Sequence, residues 1–172
     1  GLDMRDIGLV AVSVGPGSFT GLRIGMAAAM GFAHGLGIGA VGVNTLMALS
    51  WGAGAIGLIC PVIDAKRGEV YTAMHRIAGP GDTVPEMILE PSALSLDSLA
   101  AAIDSFGEPV TLTGPASQVF GNSIAEKTSA SVTIIPQSQA QASAVAVAEL
   151  GRVIAAVTGA VPPASLTPCY LR

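Results

Sequence analysis

Gly15-Pro16-Gly17-Ser18-Phe19-Thr20-Gly21-Leu22-Arg23-Ile24-Gly25 joins the most strand-like run of this chain to its least polar helix. Ahead of it, Ile7-Gly8-Leu9-Val10-Ala11-Val12-Ser13-Val14 is short, apolar and rich in β-branched residues, the pattern of a strand buried on both faces. Behind it, residues 22–36 read as helix. Gly15, Pro16 and Gly17 force a turn, and the hydroxyl of Ser18 or Thr20 can accept a backbone N–H and cap the helix. The stretch is therefore a strand, a tight loop and a helix.

That helix is apolar nearly all round. Leu22, Met26, Ala29, Met30, Ala33 and Leu36 form one stripe, while Ile24, Ala27, Ala28 and Gly31 make the opposite side apolar too; only Arg23 and His34 interrupt. A helix of this kind has to be covered on every side, by a core, a membrane or a second chain. Gly21 with Gly25, and Gly31 with Gly35, stand four apart and would let another backbone come close. The expectation is a sheet on one side and a partner on the other. His34 is expected to be a hydrogen-bonded packing residue.

Composition points the same way. Of 172 residues, 51% are hydrophobic and 12% charged, where a soluble domain carries about a quarter charged. A net charge of −4 argues against a chain that grips nucleic-acid backbone by itself. Cys60 and Cys169 are expected as buried or free thiols in a reducing, cytoplasmic compartment. Residues 24–63 contain no Asp, Glu, Lys or Arg, yet glycines, Asn44 and Pro61 cut the run into pieces shorter than the roughly 20 residues of a membrane span. The expectation is helix, strand and helix, with no membrane.

Further along, residues 39–43 read as a short buried strand and Asn44 as the cap of a helix through Trp51. Residues 52–57 are a glycine-rich linker and mark a boundary, which divides the chain into 1–52 and 53–172. A hairpin follows, with Ala65-Lys66-Arg67-Gly68 as its turn. Residues 78–91 read as irregular surface with a strand at 87–90 at most, residues 95–106 as an amphipathic helix capped by Ser95. Strand at 109–113, helix at 117–127, strand at 132–135 and helix at 142–158 complete an α/β alternation.

The inventory of chemistry is nearly empty. The Gly15 loop lacks the Gly-Lys-Ser/Thr of a P-loop. Asp64, Lys66, Arg67 and Glu69 crowd the hairpin, where Asp64 reads as an ion-paired carboxylate rather than a base or metal ligand. No His-x-x-x-His, Cys-x-x-Cys or Gly-x-Ser-x-Gly pattern is present. No residue is assigned as catalytic or metal-binding.

Gly-Pro-Gly-Ser-Phe-Thr-Gly-Leu-Arg-Ile-Gly (15–25), Gly-Val-Asn-Thr-Leu (42–46), Ile-Asp-Ala-Lys-Arg-Gly-Glu-Val-Tyr (63–71) and the closing Pro-x-Tyr-Leu-Arg (168–172) together resemble the bacterial TsaB family, also called YeaZ. The resemblance implies an actin, sugar kinase and Hsp70-like fold of two α/β lobes, here with an incomplete N-terminal lobe because the family's first strands and helix have no counterpart in this sequence. It implies a non-catalytic subunit that binds and positions TsaD in the complex making N6-threonylcarbamoyladenosine at position 37 of tRNA. TsaD and TsaE are the implied partners, with a homodimer when the subunit is alone and tRNA reached only through the complex. ATP and metal would belong to the partner assembly, leaving this chain no cofactor of its own. The partner-binding residues implied are Leu22, Met26, Ala29, Met30 and Ala33, with Ser18, Thr20 and Arg23 near an interfacial nucleotide or anion. The alternatives are an ATP-dependent enzyme or glycoprotease-like peptidase of the same superfamily, and a stand-alone homodimeric module.

Overall fold

In the computed structural model, which describes residues 1, 3–79 and 84–171, the quoted stretch folds as strand β1 (Leu9–Gly15) and helix α1 (Phe19–Leu36). Gly15 has φ +114°, and a Cβ there would stand 2.5 Å from the carbonyl oxygen of Cys169, so both conformation and space require glycine. The Ser18 hydroxyl caps α1 by accepting the Gly21 N–H at 3.3 Å. Gly37, at φ +67°, ends the helix in the left-handed conformation. Strand β2 (Gly39–Asn44) then returns parallel to β1, with Leu9 opposite Gly39 and Ser13 opposite Val43. Asn44 caps α2 (Thr45–Gly52) by accepting from the N–H groups of Leu46 at 2.8 Å and Met47 at 3.3 Å.

The second sheet is five-stranded and mixed. Its strands are β3 (Gly57–Lys66), β4 (Glu69–Ile77), β5 (Glu86–Ser95), β6 (Val110–Thr113) and β7 (Val132–Ile134), in the order β5-β4-β3-β6-β7. The first three are antiparallel neighbours; β6 and β7 join parallel, each preceded by a helix, α3 (Leu96–Phe106) and α4 (Ser117–Ala125). Leu58, Cys60, Val62, Val70, Met74, Leu99, Ile103, Leu112 and Ile124 make the core on the face that α3 and α4 cover. The other face carries Ile59 and Ile77, packed with Ala53, Ile135 and Ala140.

The last helix, α5 (Ala144–Thr158), goes back to the first sheet. Val147 and Leu150 pack with Val43 and Ala48, and Gly151 lies so close to Ala11 that a Cβ there would collide with the Ala11 methyl. Val161 then exchanges two backbone hydrogen bonds of 2.9 Å with Ala40.

Two expectations are corrected. Strand β1 is half-buried from Leu9 to Val14, with only Gly15 buried, because the first sheet is two strands wide among the described residues and leaves an edge that α1 and α5 do not close. The strand expected at 87–90 is present but longer: β5 starts at Glu86 and runs through Pro91 to Ser95. Between the pairs Thr72 with Ser92 and Met74 with Leu89, β5 holds one residue more than β4, so Pro91 sits in a bulge on an edge strand, where its missing N–H is tolerated. The rest of the segment expected to be irregular includes residues 80–83, which lie outside the described residues.

Candidate partner-binding face

Helix α1 has an inward and an outward side, and both are apolar. Met26 is 4% exposed and Ala33 fully buried, so this stripe meets the chain's own first sheet. Leu22, Ala29 and Met30 are half-buried along its margin. Outward stand Phe19, Ile24 and Phe32, exposed at 56%, 66% and 44%, together with Thr20, Ala27, Ala28, Gly31 and Gly35. A Cβ added at Gly25, Gly31 or Gly35 would meet no atom within 4 Å, so these glycines are bare backbone facing open space. The residues read as partner-binding are corrected accordingly: Met26 and Ala33 are core. Periodicity shows that two apolar faces exist; which of them meets the sheet depends on how the Gly15–Ser18 loop sets the helix's rotation, and nothing local encodes that.

At the start of α1, Arg23 meets the far end of the chain. Its Nε donates to the Tyr170 hydroxyl at 3.0 Å, and its guanidinium lies 3.7 Å from the centre of the Phe19 ring and 6.0 Å from that of Tyr170. The two rings are 5.6 Å apart and tilted by 31°. The Cys169 N–H donates to the Val14 carbonyl at 2.7 Å and holds this terminal segment in place. Between α1 and that segment runs an open groove of about 550 Å³, lined by Arg23, Met26, Ala27, Met30, Leu166, Pro168 and Tyr170. Ser18 is taken up by capping and Thr20 is exposed beside it. The family resemblance implied an interfacial nucleotide or anion near Arg23; Phe19 and Tyr170 were not foreseen as its partners, since Arg23 and Tyr170 are 147 positions apart. His34 is exposed rather than packed, and borders a smaller groove of about 250 Å³ with Met30, Gly31, Pro163 and Ala164.

Two of the hairpin charges, Asp64 and Lys66, satisfy each other. Asp64 accepts from the Lys66 ammonium and the Lys66 N–H, each at 2.7 Å, and the Lys66 side chain holds its carboxyl below the usual range. Lys66, Arg67 and Gly68 all have positive φ, at 70°, 57° and 81°. Among the described residues, no group of three His, Cys, Asp or Glu side chains could hold a metal ion. Cys60 and Cys169 are both free thiols; burial pushes that of Cys60 up to about 12. His75, which reads from the sequence as an unaccompanied histidine, is wholly buried, with burial pushing its imidazole down to about 4. No helix among the described residues is long and apolar enough to cross a membrane.

Comparison with known proteins adds relatives to this geometry. The family model described as TsaD, tRNA N6-adenosine threonylcarbamoyltransferase, matches residues 1–160. A tRNA threonylcarbamoyladenosine biosynthesis protein TsaB of Escherichia coli (strain K12) is 44% identical over 80 residues, which is 44% of this chain and 34% of that protein. The protein of the same description from Bacillus subtilis (strain 168) is 41% identical over 73 residues, 42% of this chain and 32% of its own length. An uncharacterized protein of Mycobacterium leprae (strain TN) is 40% identical over 113 residues, 63% of this chain and 31% of the relative. The chain thus spans about a third of the length of the curated relatives it matches. Among solved structures, YeaZ from Pseudomonas aeruginosa superposes with a TM-score of 0.79 at 21% identity, covering 99% of this chain and 76% of that one. The fold is accordingly the mixed α/β, actin-like fold of YeaZ. A family model that covers nearly the whole sequence, together with these relatives, makes this chain a member of the TsaD family and, within it, of the TsaB/YeaZ proteins.

Proposed function

We propose that this chain is a non-catalytic subunit that binds and positions TsaD in the assembly making N6-threonylcarbamoyladenosine in tRNA. The observation that carries the reading is the outward side of α1, which exposes Phe19, Ile24 and Phe32 between glycines with open space above them. At 18 residues the helix is about 27 Å long, enough to form the spine of an interface of roughly 800 Å² per partner. Glycines let a second helix approach, and the large side chains on either side supply the apolar area. Two named relatives are tRNA threonylcarbamoyladenosine biosynthesis proteins, which supports the same pathway for this chain. TsaE and tRNA join, on this reading, through the complex, and ATP and metal are bound by the partners.

The test is titration of the purified protein with TsaD from the same organism. Wild type is expected to bind, and Ile24→Glu to weaken binding more than tenfold while circular dichroism stays unchanged. Equal binding by Ile24→Glu and Phe32→Glu would remove α1 as the interface. Absence of any complex with TsaD, combined with ATP turnover by the lone chain, would favour an enzyme; a complex only with itself would favour a homodimeric module.

A further inference from the structure

Among the described residues, Arg5, Lys66, Arg76 and Lys127 each have a carboxylate within ion-pair distance. Arg23 has none, and its one hydrogen bond is the donation to Tyr170. Arg67 and Arg152 also lack a carboxylate, but no aromatic ring holds either of them, whereas the Arg23 guanidinium is stacked on Phe19 and tethered at Nε. Among the described residues its Nη groups have no hydrogen-bond partner, and their orientation is already fixed, so little side-chain freedom remains to be lost on binding. Helix α1 contains no acidic residue, and the groove beside Arg23 is otherwise lined by Met26, Ala27, Met30, Leu166, Pro168 and Tyr170.

We propose that Arg23, Phe19 and Tyr170 form the receiving site for an Asp or Glu side chain of the protein partner, with a large apolar residue of the same partner segment seated in the groove on Met30 and Leu166. This rests on the reading of α1 as a partner-binding helix. One planar, weakly hydrated cation beside an apolar trough matches a carboxylate flanked by apolar side chains. A phosphate chain would call for several cations, and among the described residues the groove has one. The Tyr170 hydroxyl positions the guanidinium, and Met30 gives the groove an adaptable wall.

Calorimetric titration with TsaD from the same organism tests this. Arg23→Ala is expected to weaken binding at least tenfold with an unchanged melting temperature, and Arg23→Lys to recover little, because an ammonium lacks the fork and the stack. Tyr170→Phe should weaken binding less than Arg23→Ala does. Arg23→Glu should abolish binding, and one Asp→Lys or Glu→Lys substitution in TsaD should restore it. If wild type binds TsaD and the Arg23 variants bind equally well, the inference fails while the subunit reading stands. If wild type does not bind TsaD, both fall. Displacement of TsaD by millimolar inorganic phosphate or by tRNA, lost in Arg23→Ala, would make the cluster a phosphate site and overturn the proposal.

Discussion

The Ser50 hydroxyl of α2 lies 2.9 Å from His75 Nδ1 on β4, inside the protein, where neither residue has any exposed surface. This bond ties the helix that follows the first sheet to the antiparallel part of the second. The other ring nitrogen, Nε2, is buried without a partner among the described residues, so nothing there compensates a charge on the ring.

Stability should therefore fall in mild acid. In the unfolded chain the imidazole takes up its proton near 6.5, in the folded protein only near 4, because burial disfavours the charged form. Below the unfolded value the unfolded state holds more protons, so His75 contributes fully above about pH 6.5 and its contribution is lost as pH falls towards 4. The loss is on the order of 3 kcal/mol. Urea midpoints measured between pH 7 and pH 4 should show this slope and His75→Gln should flatten it; an equal slope in both proteins would rule the imidazole out.

The two sides of α1 should respond in opposite ways to the same truncation. Met26→Ala opens space in the core and is expected to cost about 2–4 kcal/mol. Ile24→Ala removes a side chain that is 66% exposed and should change the stability of the lone chain by less than about 0.5 kcal/mol. Chemical denaturation separates the two. Equal costs would mean that Ile24 is covered by the protein itself.

Gly151→Val should destabilise the protein by about 1–3 kcal/mol, since the added side chain would run into Ala11 and Val41. Ala11→Gly in the same chain should recover part of the loss by giving the nearest methyl's space back, and thermal melts of the single and double variants measure the coupling. A melting temperature at or above wild type for Gly151→Val would show that α5 can move away from β1 at no cost.

What could be read from the amino acids alone was what neighbouring residues decide. Ser18, Asn44 and Ser95 each cap the helix expected of them, and Gly68 stands in the expected hairpin turn. The Asp64 ion pair was equally legible, its partner being two positions away. The hidden features are those that join distant parts of the chain. The strand expected at 87–90 continues through Pro91 because the bulge that accommodates the proline exists only once β4 is alongside. Ser50 and His75 are 25 positions apart, and His75 lies in a hairpin strand that shows no sign of which helix will cover it. Arg23 gave no hint of its tyrosine, and the inward side of α1 could not be told from the outward one while both were apolar.

The return of α5 to β1 and β2 has a consequence for biogenesis. A ribosome delivers β1, β2 and the greasy rod that connects them about a hundred residues before Val147, Leu150 and Gly151 emerge to shield the other surface. Through that interval the nascent polypeptide presents a half-finished layer to solvent, an arrangement that invites chaperone holding. Messages truncated ahead of residue 144 should accordingly yield insoluble product.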